Sequence, residues 1–384
     1  RLALHLVNEA ALGSFPRQRT VLSQKGVELA NGLSFVPSDK TVHELLAAHT
    51  MQDAQALQLA LGRLRRASGH FPGLLLAVDP HHMASHTKRQ TRRHRHKAGE
   101  KAGKTSQTLF VLDPASELPL CCGLASSSRP VGQTVPELLA LTAEILVPRG
   151  SRPLVLADSE HFAEALFLEA YRLGFDLLVP MPRRAAYLRQ MAAIPSADFK
   201  LHWPGYATAR TTFRFRNDDR DYTLMVQREG ERPDQFRFGG FLCTSPREEL
   251  EALSEQYPER WHIEEFFNRD QSIGWKRAGT QNLDIRYNHI TLTLLAQAAV
   301  DQFRRRLPAD CRHASAETVA KQCFNGIDGD LRVHDDTIVV TYYNAPRDPQ
   351  WRQHYEELPA RLEAEKIPLN IPWLYDFKLN SRFR

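Results

Sequence analysis

The sequence is poor in cysteine and lacks long apolar runs. Five cysteines occur among its 384 residues, and none has the spacing of paired zinc ligands, so we expect reduced thiols packed in a core. No apolar run approaches the roughly 20 residues that span a membrane, and no signal peptide is recognisable. These absences favour a cytoplasmic protein. The chain begins with Arg1 rather than Met, so we expect an N-terminal piece to precede it.

Positive charge is concentrated in one segment. The formal net charge is +5 and the pI is about 8.9, which permits a polyanionic partner without requiring one. Residues 86–104 contain eight Lys or Arg and one Glu, and they show no apolar periodicity. This composition predicts a mobile basic loop, which either follows a phosphate backbone or is simply solvated.

The pattern of apolar residues divides the chain into five regions. The first is a helical N-terminal region, in which Ser38 and Asp39 signal a helix start before apolar residues at helical spacing. Two parts of an α/β core follow, separated by a β-rich segment, and a C-terminal region with one clear strand ends the chain. The predicted boundaries are 1–69, 70–182, 183–244, 245–306 and 307–384.

Five buried strands and two helices are predicted in the first part of the core. Their order is β-β-β-α-β-α-β, which is typical of a ribonuclease-H-like mixed five-stranded sheet flanked by helices, with right-handed crossovers between its parallel strands. Such a core still needs a final helix packed across the sheet. The predicted strands are 73–79, 108–112, 118–124, 152–158 and 175–180, and the predicted helices are 134–146 and 159–174.

The segment 183–244 predicts a β-rich insertion with one basic face. In "TARTTFRFRNDD" the residues alternate between polar and apolar, as in a half-buried strand. The polar face is either a DNA-binding surface or a solvent-facing edge. It contains Arg210, Thr212, Arg214 and Arg216.

Three acidic residues are placed where a metal site would form. Asp79 and Asp158 end the first and fourth predicted strands, which are parallel neighbours in the predicted fold and meet at one sheet edge. A helix is predicted to begin near Tyr257, with Pro258 in its first turn. In this helix Glu264 lies opposite the apolar face, which contains Ile263 and Phe266, and points toward the same edge. Converging carboxylates repel unless a cation lies among them, and two Mg²⁺ or Mn²⁺ ions about 4 Å apart would catalyse phosphodiester cleavage. Ordinarily, an Asp at a strand end is only a cap, and Glu265 competes for the third position.

The contexts of these acids resemble DDE transposases of bacterial insertion sequences, of the insertion-sequence-four type. That family has a Y-x2-R-x3-E-x6-K signature on its final helix, and Tyr257, Arg260 and Glu264 fit the spacing. "LLAVDPHH" and "LVLADSEHF" are similar to the contexts of the family's two aspartates. The resemblance covers roughly residues 70–306. It departs at Gln271, which stands at the position of the family's phosphate-contacting lysine.

The resemblance implies a transposase that cleaves DNA at transposon ends and transfers the 3′-OH into target DNA. It implies that Asp79, Asp158 and Glu264 hold two Mg²⁺ or Mn²⁺ ions and that Tyr257 and Arg260 contact the DNA backbone. The implied partners are double-stranded DNA, at the transposon ends and the target, and a second copy of the chain on that DNA. The implied location is the bacterial cytoplasm, in association with the nucleoid.

Further DNA contacts are expected from basic and aromatic residues. Trp261, Trp203 and Trp275 are candidates for stacking on an unpaired base, although core packing is expected for at least two of them. Recognition of the DNA ends is expected from residues 1–69 or from residues before Arg1. The basic candidates are Lys88, Arg89, Arg92, Arg93, Arg210, Arg214, Arg216 and Lys276.

Other functions remain open at this point. A ribonuclease-H-like endonuclease would cut without joining, and a domesticated DNA-binding protein would do neither, although the presence of all three acids counts against the latter. A general hydrolase is disfavoured because no G-x-S-x-G motif occurs. A zinc site is disfavoured because no cysteine stands at a useful spacing from the histidines. Those histidines are His81, His82, His94 and His96.

Overall fold

The chain is divided into two compact units. One is Gln52–Phe267, and the other combines Arg1–Met51 with Asn268–Arg384. The computed structural model of the protein describes residues 29, 32–35, 37–72, 74–84, 93–94, 101, 103–125, 131–147, 150–275, 282–307, 309, 312–319, 328–343 and 349–384.

Ten strands of the unit Gln52–Phe267 form one mixed sheet. They are β1 (Leu75–Ala84), β2 (Arg93–His94), β3 (Gly103–Asp113), β4 (Leu118–Ala125), β5 (Leu154–Ala157), β6 (Asp176–Pro180), β7 (Lys200–Trp203), β8 (Tyr206–Phe213), β9 (Tyr222–Glu229) and β10 (Arg237–Cys243). The order along the sheet is β2-β3-β1-β5-β6-β10-β9-β8-β7, and β4 also pairs with β3. Strands β1, β5 and β6 are parallel, whereas β3 runs antiparallel to β1 and β10 runs antiparallel to β6.

The sheet is larger than the five strands that were predicted. All five predicted strands are present, as β1, β3, β4, β5 and β6. The strands of the β-rich segment belong to the same sheet, because β10 pairs with β6 and the remaining strands follow from β10. The predicted strand count was therefore wrong. An unpaired edge of β6 would leave backbone N–H and C=O groups without partners, and β10 satisfies them.

Apolar runs explain why the central strands are buried. Every residue of β4 and β5 is buried, as expected for strands covered on both faces. The main hydrophobic core joins these strands to the helices around them, with Val155, Leu177 and Phe167 at its centre. Cys121 and Cys122 are buried in the same unit, which agrees with the predicted packing of cysteines in a core. Burial raises the pKa of the Cys121 thiol to about 12.

Helices connect the strands, and the helix predicted after the second aspartate begins later than expected. In the described residues they are α1 (Asp39–Ala48), α2 (Met51–Ala67), α3 (Val131–Leu146), α4 (Glu164–Arg172), α5 (Ala185–Ala192), α6 (Trp261–Asp270), α7 (Leu283–Arg306) and α8 (Pro349–Ala364). The helix predicted over 159–174 is split, because Asp158 caps a separate 3₁₀ turn, Ser159–His161, before α4 begins.

No helix in the described ranges has both the length and the apolar character needed to cross a membrane.

Three types of helical backbone follow one another into α6. A π-helical stretch, Glu251–Gln256, leads into a 3₁₀ stretch, Tyr257–Arg260, and α6 then begins at Trp261. Pro258 has no N–H, so a regular α-helical bond pattern does not run through this point. The predicted helix start near Tyr257 is therefore a 3₁₀ start, and π insertions of this kind often occur at functional sites.

Part of the basic segment 86–104 is strand rather than loop. Arg93 pairs with Lys104 and His94 pairs with Gly103 in an antiparallel ladder. The prediction of a mobile loop was wrong for these residues, because they extend the edge of the sheet beside β3. Three predicted DNA contacts lie outside the described residues, namely Lys88, Arg89 and Arg92.

The second unit contains α1, α7 and a three-stranded sheet. Ser38 caps α1 as predicted, since its hydroxyl accepts a hydrogen bond from the Thr41 N–H at 3.2 Å. In the sheet, β12 (Thr337–Tyr342) pairs antiparallel with β11 (Gly329–His334) and parallel with β13 (Lys378–Phe383).

Asp176 ties the start of β6 to the chain that follows β10. Its buried carboxylate accepts hydrogen bonds from Ser245 Oγ at 2.6 Å, Thr244 Oγ1 at 3.1 Å and Arg247 Nη2 at 2.9 Å. Arg152 Nε donates a fourth bond at 3.3 Å. The chain that leads to the π-helical stretch is therefore anchored to the first residue of a core strand.

We expect Asp176→Ala to lower the free energy of unfolding by about 3–5 kcal/mol, because it leaves two arginines without their shared carboxylate. Urea unfolding followed by circular dichroism measures this change. The matched control is Asp198→Ala, which removes an exposed carboxylate. Equal losses in the two variants would contradict the anchoring role.

Candidate active site

Two aspartates lie side by side where β1 and β5 separate. The parallel register pairs Val78 with Ala157, so Asp79 and Asp158 occupy the next equivalent positions, on strands about 4.8 Å apart. Strand β5 ends at Ala157, one residue before the predicted end at Asp158. Strand β1 does not end at Asp79 as predicted and continues along β3 to Ala84. The sheet therefore brings the first two predicted acids together.

Asp158 is held by the 3₁₀ turn that it caps. Its Oδ1 accepts a hydrogen bond from the Glu160 N–H at 3.0 Å and lies 2.6 Å from His161 Nδ1. Burial alone would raise the pKa of Asp158, but the contact with His161 and the backbone bond outweigh it and hold the pKa below its usual value. His161 was not predicted as a site residue. Its signal was the spacing Asp-x-x-His directly after a buried strand.

Arg260 joins the first aspartate to the predicted glutamate. Its Nη1 lies 3.2 Å from Asp79 Oδ1 and its Nη2 lies 2.9 Å from Glu264 Oε1. Only 13% of the arginine side chain is exposed, and 16% of the aspartate. The glutamate follows the arginine by one helical turn, which explains why one guanidinium reaches both carboxylates. Arg260 was predicted as a DNA contact, and its role between the carboxylates was not foreseen.

The charge of Arg260 does not fully compensate the acids. Burial raises the pKa of Asp79 to about 7, and the charges of Asp158 and Glu264 add to this upward shift. The charge of Arg260 lowers the pKa but does not cancel the shift. One guanidinium faces three carboxylates, so the cluster has a net negative charge when all of them are ionised. A site of this kind favours further positive charge.

Tyr257 packs beneath the same cluster. Its ring meets Phe241 edge-on, with the ring centroids 4.9 Å apart, and its hydroxyl donates to the Ala157 carbonyl at 3.5 Å. Burial raises the pKa of Tyr257 to about 12, so its hydroxyl keeps its proton at neutral pH. Tyr257 is therefore a hydrogen-bond donor beside Asp158.

The structure separates Glu264 from its neighbour Glu265. Glu264 is 32% exposed and is bound to Arg260, whereas Glu265 is 72% exposed and pairs with His262 at 3.4 Å. Ile263 and Phe266 are buried on the other side of α6, as predicted. Glu264 therefore lies on the side of Arg260 and Asp79, and Glu265 faces solvent.

The donor set fits a divalent cation, but the three acids are not arranged around one point. Carboxylate oxygens are the ligands that Mg²⁺ and Mn²⁺ prefer, and the cluster lacks positive charge. In the part of the chain that the structure describes, no three His, Cys, Asp or Glu side chains are placed to hold a metal ion. The guanidinium of Arg260 lies between Asp79 and Glu264.

The predicted basic residues of the β-rich segment are mostly paired with acids. Arg210 lies 3.0 Å from Glu249, and Arg214 lies 2.7 Å from Asp221. Arg216 is exposed. Among the other predicted DNA contacts, Arg93 lies in β2, and Lys276 lies outside the described residues.

The three tryptophans proposed for base stacking have different surroundings. Trp261 is 60% exposed and lies beside Arg260, whose guanidinium carbon is 6.0 Å from the indole centroid. Trp203 is 47% exposed and stacks on Tyr206 with ring centroids 4.4 Å apart. Trp275 is fully buried and donates to Thr293 at 2.6 Å, so core packing replaces the stacking role for this residue.

The chain matches one family model and is similar to several solved structures. Residues 70–298, more than half of the chain, match the family model described as "Transposase DDE domain". No curated protein matches the chain. Among solved structures, a chain of the cryo-EM structure of the piggyBac transposase synaptic complex with hairpin DNA is similar, with 10% identity and a TM-score of 0.43 over 84% of this chain and 70% of that chain.

We expect Asp79 to make the metal-free protein less stable as the pH rises. An unfolded Asp loses its proton near pH 4, whereas folded Asp79 keeps it to about pH 7. Between these values only the folded state holds the proton, so the free energy of unfolding falls with increasing pH. Asp79→Asn removes this dependence and should stabilise the protein at pH 8 by on the order of 1–3 kcal/mol.

Thermal unfolding in EDTA from pH 5 to pH 8 measures the effect. The gain in Tm from Asp79→Asn should shrink toward pH 5, and the exposed control Asp198→Asn should show no such trend. A gain that is constant over this range would contradict the raised pKa.

Proposed function

This chain belongs to the transposase DDE domain family, and we propose that it is a DNA transposase of the insertion-sequence-four type. It cleaves DNA at transposon ends and transfers the freed 3′-OH into target DNA. The observation that supports this most directly is the cluster of Asp79, Asp158 and Glu264 around Arg260 at one edge of the sheet. Cutting and joining are the same in-line displacement with different attacking oxygens, so one site performs both.

The three carboxylates would hold two Mg²⁺ or Mn²⁺ ions. When bound, such ions activate the attacking oxygen and stabilise the leaving oxygen of a phosphodiester. Asp158 offers Oδ2 for this purpose, because Oδ1 already accepts two hydrogen bonds. Asp79 and Glu264 become available as ligands once Arg260 releases them.

Arg260 then changes partner. In the free protein its guanidinium neutralises part of the charge of Asp79 and Glu264. If Asp79 and Glu264 held cations, the arginine would be free to bind a DNA phosphate, for which its planar pair of donors is well suited. Tyr257 would have to release the Ala157 carbonyl before its one hydroxyl proton could be donated to the same backbone. The exposed indole of Trp261 is a surface for a base.

The tyrosine, arginine and glutamate support assignment to the insertion-sequence-four type. Tyr257, Arg260 and Glu264 follow the Y-x2-R-x3-E spacing, and the structure places them on one continuous helical path. The strand order β4-β3-β1-β5-β6 agrees with a ribonuclease-H-like core to which the strands of residues 183–244 have been added. Gln271 is neutral, so the charged phosphate contact of the family's lysine must come from another residue.

We propose that the DNA path extends over the basic residues that were predicted as DNA contacts. Arg216 is exposed on the segment 183–244, and Lys88, Arg89, Arg92, Arg93 and Lys276 are the remaining candidates. Arg210 and Arg214 would first have to leave their acidic partners. Two chains acting on paired DNA ends in the bacterial nucleoid complete the proposal, with residues 1–69 as the candidate end-binding region.

We expect Glu264→Gln to reduce cleavage of the element's own DNA ends by about 10²–10⁴-fold, because it removes one anionic ligand and several kcal/mol of charge stabilisation. Glu265→Gln is the matched control and should stay near wild type, since that side chain faces solvent. The assay uses duplexes from the DNA flanking the gene, with Mg²⁺ or Mn²⁺, and measures end binding in parallel.

A second arm of this assay supplies a pre-cleaved end and a target plasmid. Joined products are expected from the wild type, and their absence despite cleavage would identify a nuclease that cuts without joining. If the wild type binds the ends but cuts them with neither metal, the catalytic proposal fails.

A further inference from the structure

We propose that His161 is a positioning residue that fixes the carboxylate of Asp158 so that only Oδ2 is presented to a divalent cation. This inference rests on the metal-dependent function proposed for the same site. It assigns a role to a residue outside the three acids and outside the tyrosine–arginine–glutamate spacing.

The contact between the two side chains is short and sheltered. His161 is fully buried, and its Nδ1 lies 2.6 Å from Asp158 Oδ1. The backbone reinforces the arrangement, because the His161 N–H donates to the Asp158 carbonyl at 3.0 Å. Since a carboxylate oxygen only accepts, Nδ1 is the protonated nitrogen of the ring. The imidazole is therefore a hydrogen-bond donor to Asp158.

His161 is not itself placed to bind the cation. Its Nε2 is buried and has no hydrogen-bond partner among the described residues. The 3₁₀ turn that contains the histidine packs against α3 and β6, so the ring is enclosed by the unit's interior. One nitrogen is committed to the carboxylate and the other has no access to the site.

The consequence for Asp158 is that its two oxygens differ. Oδ1 receives donors from His161 and from the Glu160 N–H, while Oδ2 makes no hydrogen bond within the described part of the chain. Asp158 is also 32% exposed, so it is open to solvent and to ligands. Donors of this kind orient a metal-binding carboxylate, and removing them usually weakens metal binding by about 10–100-fold.

A purely structural role for His161 makes a different prediction. If the histidine only closes the 3₁₀ turn, its replacement changes the stability of the fold and leaves the affinity for metal unaltered. Two substitutions of His161 separate the two roles by the position of the hydrogen-bond donor. The side-chain amide nitrogen of Asn lies near the position of the imidazole Nδ1, whereas that of Gln lies near the position of Nε2.

The test measures the affinity of the full chain for Mn²⁺ without DNA. Electron paramagnetic resonance quantifies the Mn²⁺ that remains free in solution. His161→Asn should bind Mn²⁺ with nearly wild-type affinity, while His161→Gln and His161→Ala should bind about 10–100-fold more weakly. Thermal unfolding by circular dichroism is recorded for each variant, so that affinity is compared only between folded proteins.

The proposal is overturned if His161→Asn binds Mn²⁺ no better than His161→Gln, or if all three variants bind like wild type. A separate measurement needs no variant: long-range ¹H–¹⁵N spectra of the wild type should show the proton of His161 on Nδ1, and a ring protonated only on Nε2 would overturn the inference. If wild type fails to bind Mn²⁺, or Asp158→Asn binds it equally well, the proposed function itself fails.

Discussion

The arrangement of this protein depends on one electrostatic constraint: carboxylates gathered at a sheet edge need positive charge between them. The register of β1 and β5 places Asp79 beside Asp158, and α6 adds Glu264. Arg260 supplies the single guanidinium that makes this cluster tolerable, yet the pKa of Asp79 still rises to about 7 because of burial and the neighbouring acids. The free protein is therefore short of positive charge at the point where phosphodiester chemistry would need cations.

The local backbone structure around the cluster sets the positions of its charged side chains. Pro258 breaks the helical bonding pattern, and the switch from π to 3₁₀ to α backbone sets the direction from which Arg260 and Glu264 approach. On the opposite side, Asp158 turns the chain into a 3₁₀ turn whose histidine holds one carboxylate oxygen. Asp176 anchors the chain leading to the π-helical stretch. Each of these structural features helps to fix the position of a charged side chain.

The sequence was sufficient for elements whose signals are local. Apolar runs predicted all five strands of the first core part, and helical spacing predicted that Glu264 and Glu265 lie on different faces of α6. Pairing between distant segments has no such signal, so the joining of β10 to β6 and the continuation of β1 past Asp79 were missed. Partner choice was equally hidden: Arg210 and Arg214 have the composition of a DNA-binding face, but Glu249 and Asp221 pair with them. His161 stood three residues after a named aspartate and was not recognised.

The central claim is that segments distant in sequence form one cation site at the edge of the sheet. Iron-directed hydroxyl-radical cleavage tests it without any DNA substrate, because Fe²⁺ accepts the same oxygen ligands as Mg²⁺ or Mn²⁺ and cuts the chain where it is bound. With ascorbate and peroxide, mass spectrometry should find cuts near Asp79, Asp158 and Glu264 together, and excess Mg²⁺ should suppress all three. Cuts near only one of these residues, or cuts that persist in Mg²⁺, would contradict a shared site.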